Sequence, residues 1–444
     1  MRYISTRGEA PELSFEEAML TGLARDGGLY VPTEWPQMSE AEIAALAGQP
    51  YEEVAYRVMR PFIGDTFTDD EFRAIIDRAY ASFGHKLRCP LVQLGEDVWV
   101  LELHHGPTLA FKDVAMQLIG QMFETVLTRR GEKVTIVGAT SGDTGSAAIE
   151  AFRGLEAVDV FILYPDGRVS EVQRRQMTTP TESNVNTIAL KGDFDDCQAA
   201  VKAMFNDFEF RDAVKLTAVN SINWARVLAQ AVYFFTAAVA LGAPGRKISF
   251  SVPSGNFGDI FAGYVAKRMG LPIDRLIIAT NQNDILHRTV QSGAHEKQAV
   301  EPSTSPSMDI QVSSNFERLL FDLYDREGPA IQQLMAELGQ GGFTLSQGAL
   351  DRLRAEFDSA RFGEVEVAAL IADYAQSTGQ VLCPHSAIGV GAAAACDGPT
   401  VALATAHAAK FPDAVEAACG SRPQLPPRMA EVEGLEPCLE QGFG

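Results

Sequence analysis

Residues Lys133–Phe152 read KVTIVGATSGDTGSAAIEAF. A β-branched run, KVTIV, stops at a loop of small residues and gives way to the Ala-rich stretch SAAIEAF, which is a strand, a tight loop and a helix in succession. Such a unit buries its strand in a parallel sheet under its helix. The loop Gly138–Gly145, GATSGDTG, has few bulky atoms. Backbone N–H groups and the hydroxyls of Thr140, Ser141 and Thr144 can therefore converge on an anion at a helix N-terminus, and a carboxylate would fit. The glycine spacing matches neither the dinucleotide fingerprint nor the Walker loop. A tight structural turn is the other reading of this motif alone.

Outward from this unit the same rhythm repeats. VWVLEL (98–103) precedes a helix after Phe111, VDVFILY (158–164) precedes one after Val169, and KISFSVP (247–253) leads into one near Phe257. RLIIAT, QVLCPHSA and TVALATA continue the strand series toward the C-terminus. The fold class predicted is α/β with parallel sheets. Before Pro90 the pattern is helical, around Ser14–Ala24, Ser39–Leu46, Tyr51–Met59 and Asp69–Ser82, several stretches opening on a Ser or Asp cap. These shifts divide the chain into residues 1–90, 91–225 and 226–444. The apolar run Ala231–Ala243 is too short to span a membrane and reads as a helix buried between layers. Gln298–Ser314, rich in Pro, Ser and Thr, reads as an extended loop.

Two further stretches carry chemistry. In His104–Asp113, HHGPTLAFKD, Lys112 enters a helix among apolar neighbours. An ammonium there costs free energy unless its pKa falls or it is converted to an imine. Taken alone, a surface lysine at a helix start explains it as well. In SVPSGNFGD, the residues Ser254, Gly255, Asn256, Phe257 and Gly258 follow a strand and precede a helix, so consecutive N–H groups can wrap a phosphate. Two anion loops on separate strand-helix units, with one poised amine, suit pyridoxal phosphate and an amino-acid carboxylate.

Bulk properties narrow the class. With 444 residues, 46% hydrophobic and 21% charged, the chain is long enough for two or three domains. Its 58 acidic against 37 basic residues give a net charge of -21, which disfavours nucleic acid and anionic membranes as partners. Cys89, Cys197, Cys383, Cys396, Cys419 and Cys438 are scattered without a CxxC pair and read as reduced thiols. The opening MRYISTRGEAPELSF lacks the apolar run of a signal peptide, so the expected location is cytoplasmic. His104-His105 and Cys383 near His385 lack zinc-like spacing, and no metal is expected. Acidic runs such as Asp69-Asp70-Glu71 read as solvated helix starts.

PTLAFKD, GATSGDTG, NSINWAR, PSGNFGD, SSNFERLLFDLYDRE and ATAHAAKF, in this order, resemble the blocks of threonine synthases, and SFEEAMLTGLARDGGLYVP resembles the N-terminal region of their longer bacterial and fungal type. The resemblance runs nearly end to end. It implies a tryptophan-synthase-β-like fold, with two open parallel-sheet α/β domains and a mainly helical N-terminal region. Residues 91–225 would form the smaller domain, bearing the Schiff-base lysine and the carboxylate loop, and 226–444 the larger one with the phosphate loop. The implied activity is that of a lyase converting O-phospho-L-homoserine and water to L-threonine and phosphate, by γ-elimination and β-addition of water on pyridoxal 5'-phosphate.

By motif match, Lys112 is the Schiff-base lysine, Ser254–Gly258 hold the cofactor phosphate, and Thr405 meets the pyridine nitrogen. Thr140, Ser141, Gly142, Asp143 and Thr144 correspond to the substrate carboxylate loop. Related enzymes of the fold place an Asn against the cofactor hydroxyl where this loop has Asp143, which leaves that hydroxyl's partner open. For the substrate phosphate the candidates are Ser221, Asn223 and Arg226, the last equally readable as a surface cation. The alternatives are a threonine or serine dehydratase-like lyase, which needs no second phosphate site, and a non-catalytic homologue that only binds the cofactor. A monomer or homodimer is expected.

Overall fold

The computed structural model describes residues 1–192, 194–435 and 441–443. Its centre is a six-stranded sheet in the order Phe357–Arg361, Ile273–Thr280, Ile248–Pro253, Thr400–Ala404, Val98–Glu102, Leu91–Gln93. Every pairing in it is parallel except that of Leu91–Gln93 with Val98–Glu102. A second, five-stranded parallel sheet runs Gln441–Phe443, Val185–Leu190, Val158–Pro165, Val134–Ala139, Leu216–Thr217. The opening stretch Lys133–Phe152 contributes the strand Val134–Ala139 and the helix Asp143–Phe152, as its pattern predicts.

Sheet membership does not follow the boundaries 91–225 and 226–444. Leu91–Gln93 and Val98–Glu102 belong to the six-stranded sheet, and Gln441–Phe443 returns to the five-stranded one. QVLCPHSA is not a strand. Pro384 opens the helix Pro384–Ala394 there, capped by Cys383, because Pro fits the first turn of a helix and not a ladder. The predicted buried helix is real: Ala231–Ala240 lies within Trp224–Ala240, whose residues are nearly all buried. No described helix is long and apolar enough to cross a membrane. Cys89, Cys383, Cys396 and Cys419 are free thiols, and Cys438 lies outside the described residues.

The four N-terminal helices are Phe15–Thr21, Glu40–Ala44, Tyr51–Ile63 and Asp69–Tyr80. Ser14, Ser39 and Thr68 close capping boxes with Glu17, Glu42 and Glu71, which explains where the first, second and fourth of these helices start. Tyr3–Ser5 pairs antiparallel with Tyr30–Pro32, and this ribbon grips the helix Phe316–Leu323. Arg7 gives Nε and Nη2 to Glu317 at 3.0 Å each, Thr6 Oγ1 adds a bond of 2.6 Å, and Arg318 Nε donates to the Tyr30 carbonyl at 3.1 Å. The region also holds the start of Trp224–Ala240, through Asn223 Nδ2 and the Met19 carbonyl at 2.8 Å.

Glu317 is buried and Arg7 is only 26% exposed at its side chain, so the pair is largely shielded from water. Arg7→Ala is therefore expected to lower stability by about 1–2 kcal/mol, less than for a fully buried pair. Thermal unfolding should show a fall of a few degrees, while a substitution at the exposed pair Arg2–Glu12 should leave the curve in place.

Candidate active site

Lys112 is the first residue of the helix Lys112–Arg130 and is 8% exposed. The loop before it is closed by Asp113, which accepts Thr108 N at 2.8 Å and Thr108 Oγ1 at 2.7 Å. Gly106 is obligatory there, since a Cβ would meet Asp113 at 2.4 Å. Leu109 is held at φ +60, a strained conformation for a branched side chain. Burial raises the Asp113 pKa to about 6. The loop runs antiparallel beside the end of the last strand of the large sheet, with Phe111 N bonded to Thr405 O at 2.8 Å and His407 N to Leu109 O at 3.0 Å. Lys112 and Thr405 are thus brought together although far apart in sequence. The Thr405 hydroxyl makes no hydrogen bond among the described residues.

The loop 138–145 meets Lys112 through Asp143, whose Oδ2 lies 3.4 Å from Lys112 Nζ. Asp143 Oδ1 is held by Lys410 Nζ at 2.7 Å and by Gln173 Nε2 at 2.9 Å. Burial opposes the charge on Asp143, but the ammoniums of Lys410 and Lys112 hold its pKa well below the usual carboxylate range. Burial lowers the Lys112 pKa; Asp143 works against this, and Arg226 and Lys410 work with it. Thr140 is spent within its own loop, its Oγ1 accepting Gly142 N at 2.9 Å and Gly145 N at 2.8 Å. Gly142 sits at φ +132, and a Cβ on it would lie 2.3 Å from the Gln173 side chain. The N–H groups of Ser141, Asp143 and Thr144 find no acceptor among the described residues, and the half-buried Ser141 and Thr144 hydroxyls make no bond.

The loop 254–258 enters the helix Gly258–Arg268 with Phe257 at φ +64. Ser254 is already committed, its N donating to Ala279 O and its Oγ to Val252 O, both at 2.8 Å. By contrast the N–H groups of Gly255, Asn256, Phe257 and Gly258 donate to no described protein group. Consecutive open donors at the positive end of a helix are what a phosphate monoester needs. The Pro/Ser-rich segment packs onto this loop: Ser313 Oγ bonds Gly255 O at 2.6 Å, and Asn315 N bonds Asn256 O at 3.0 Å. Asn315 is fully buried, its Nδ2 has no partner, and it lies 3.3 Å from where a Gly258 Cβ would stand.

The three residues expected to meet a substrate phosphate fare differently. Ser221 is half-buried against Gly258. Asn223 is withdrawn from that role, because it caps the helix Trp224–Ala240: Oδ1 accepts Ala225 N at 3.0 Å, and Nδ2 is divided between Met19 O and Ala218 O. Arg226 is no surface cation, being 2% exposed with an unpartnered Nε. Burial lowers its pKa to about 10. Asp259, whose Oδ1 accepts the Tyr233 hydroxyl, has a free Oδ2 and a pKa raised by burial to about 7.

Sequence reading missed Lys410, Gln173, Asn315 and His385. His385 is buried, accepts Ser307 N at 3.2 Å on Nε2, leaves Nδ1 unpartnered, and has its pKa lowered by burial to about 4. Lys410 and Asn315 lie inside the blocks ATAHAAKF and SSNFERLLFDLYDRE, whose local pattern gives no sign of a buried ion pair or an open amide. Among the described residues no group of His, Cys, Asp and Glu is placed to hold a metal ion.

Residues 2–80 match the family model of the threonine synthase N terminus, 85–332 that of pyridoxal-phosphate dependent enzymes, and 386–441 that of the threonine synthase C-terminal region. The chain is 54% identical to the threonine synthase of Pseudomonas aeruginosa over 438 residues, 97% of this chain and 93% of that protein. Among solved structures it is similar to the pyridoxal-phosphate-bound threonine synthase from Brucella melitensis, with a TM-score of 0.96 and 57% identity, covering 100% of this chain and 96% of that one. The yeast threonine synthase structure aligns with a TM-score of 0.93 and 40% identity, over 100% and 95% of the two chains.

Proposed function

The chain belongs to the threonine synthase family of pyridoxal-phosphate-dependent enzymes, and from that premise we propose that it converts O-phospho-L-homoserine and water to L-threonine and phosphate with Lys112 at the reacting centre. The observation that carries this reading is the meeting of buried Lys112 with Asp143 of the 138–145 loop, while its own loop pairs with the backbone at Thr405. Pyridoxal phosphate, when bound, supplies an electron sink that lets bonds at the α and β carbons of an amino acid break.

The protein's residues divide the remaining work. Gly255–Gly258 would hold the cofactor phosphate with their open backbone N–H groups, and Asn315 Nδ2 would be an additional donor to it. Thr405 offers its hydroxyl to the ring nitrogen. A neutral partner there would leave that nitrogen without a proton and moderate the electron sink. Ser141, Thr144 and the free N–H groups of their loop take the substrate carboxylate. Lys112, poised with a lowered pKa, accepts the α proton and returns it during the sequence. Arg226, with its unpartnered Nε, and Ser221 are the candidates for the substrate phosphate. Arg226 supplies the cation that a departing phosphate requires.

The test is product analysis. With cofactor-loaded protein and O-phospho-L-homoserine, phosphate and threonine are expected in equal amounts. Release of ammonia and a 2-oxo acid would reassign the chain to the dehydratase-like lyases, and bound cofactor without turnover would make it a binding homologue.

A further inference from the structure

We propose that Lys410 is a positioning residue for the reaction, acting on Lys112 through the carboxylate of Asp143 that the two lysines share. The proposal rests on the reading of Lys112 as the cofactor lysine. Its basis is an asymmetry around one buried carboxylate. Oδ1 is saturated by Lys410 at 2.7 Å and Gln173 at 2.9 Å, whereas among the described residues Oδ2 faces only Lys112, at the longer distance of 3.4 Å. Lys410 is 0% exposed and its Nζ also donates to the Thr108 carbonyl at 2.9 Å, at the start of the Lys112 loop. It is thus fixed at two points, and neither bond is available to water.

The consequence is electrostatic. Asp143 is compensated by Lys410 before Lys112 is counted, so Lys112 gains less than a full counter-charge from it. Attachment of the cofactor needs the neutral amine: the Nζ lone pair forms the new C–N bond, the aldehyde oxygen leaves as water, and an ammonium has no lone pair to give. A second ammonium on the same carboxylate keeps Lys112 ready to lose its proton. The other charged or titratable groups facing this cluster are Arg226 from Trp224–Ala240, Asp259 from Gly258–Arg268, His385 and Cys383 at the start of Pro384–Ala394, and Asp113 beside Lys112. None of them touches Asp143 as Lys410 does.

The arrangement makes a signed prediction. Lys410→Met leaves Asp143 to Lys112 alone and should move the pH dependence of cofactor attachment upward. Asp143→Asn leaves Lys112 among cations and should move it downward. Lys410→Arg, which keeps the charge, should stay near the parent. The full-length chain, freed of cofactor, is mixed with pyridoxal phosphate across the neutral and alkaline range, and growth of the visible band is followed. A displacement of about one pKa unit corresponds to about a tenfold change in attachment rate near neutral pH.

Opposite displacements in the first two variants, with the third unmoved, are the expected result. Equal or absent displacements in variants that still attach cofactor would overturn the proposal. Should Lys410→Met not fold, Lys410→Gln, which removes the charge but keeps a donor toward Asp143 and the Thr108 carbonyl, takes its place by the same criterion. Attachment that survives in Lys112→Ala would instead overturn the underlying assignment of Lys112.

Discussion

Replacing Lys112 by alanine is expected to abolish covalent capture of pyridoxal phosphate and to lower threonine formation by about a thousandfold or more. The fold should survive. Lys112 is buried, but the carboxylate it touches keeps its closer partners, Lys410 at 2.7 Å and Gln173 at 2.9 Å, so no unpaired buried charge is left behind. The variant should therefore unfold at nearly the parent temperature while showing no visible band after exhaustive dialysis. A band that persists, or threonine production within tenfold of the parent, would place the reacting amine elsewhere.

The second large effect is expected at Gly255. A methyl group there would stand 2.7 Å from the Ser307 carbonyl oxygen and 3.3 Å from Met308 Cα, both backbone atoms. Ser307 cannot easily retreat, because its segment is tied down. Asn281 Nδ2 bonds Ser303, Ser305 and Asp309 at 2.9, 2.9 and 2.8 Å, and Asp309 in turn accepts Ser303 N at 2.9 Å. The loop 254–258 must give way instead, and its open N–H array goes with it. Overpacking of this kind costs about 1–3 kcal/mol, so Gly255→Ala should weaken cofactor affinity by roughly tenfold to a hundredfold in a binding titration. Gly348→Ala, where a Cβ meets nothing within 4 Å, is the matched control and should bind as the parent does.

Local chemistry explains what could be read from the chain before its structure was known. Lys112 and the loops 138–145 and 254–258 each sit at a strand end or a helix start, where sequence pattern is strong, whereas Thr405 enters only through the family resemblance. What connects them is not local. Lys410 belongs to a short turn whose partners, Asp143 and Thr108, come from elsewhere in the chain, and nothing in AHAAKF announces an ion pair. Asn223 failed as a ligand for a reason that was visible, since Asn ahead of Trp-Ala-Arg is a helix cap as well as a donor. The misplacement of Leu91–Gln93 and Val98–Glu102 has a topological cause: strands near in sequence to Val134–Ala139 pair with strands far away, and sheet order is decided by the crossovers.

That sheet order also constrains when the protein can become active. Val98–Glu102 lies between Leu91–Gln93 and Thr400–Ala404, so among the described residues its route into the rest of the large sheet runs through a strand translated far later in the chain. Until residues 400–410 arrive, the Lys112 loop has neither the Thr405 backbone to lie along nor Lys410 to pin Thr108. Nascent chains must wait with half a sheet edge uncovered, a state that is slow to resolve and open to chaperones. The buried setting that lowers the Lys112 pKa is thereby assembled only once residues 400–410 have joined the sheet.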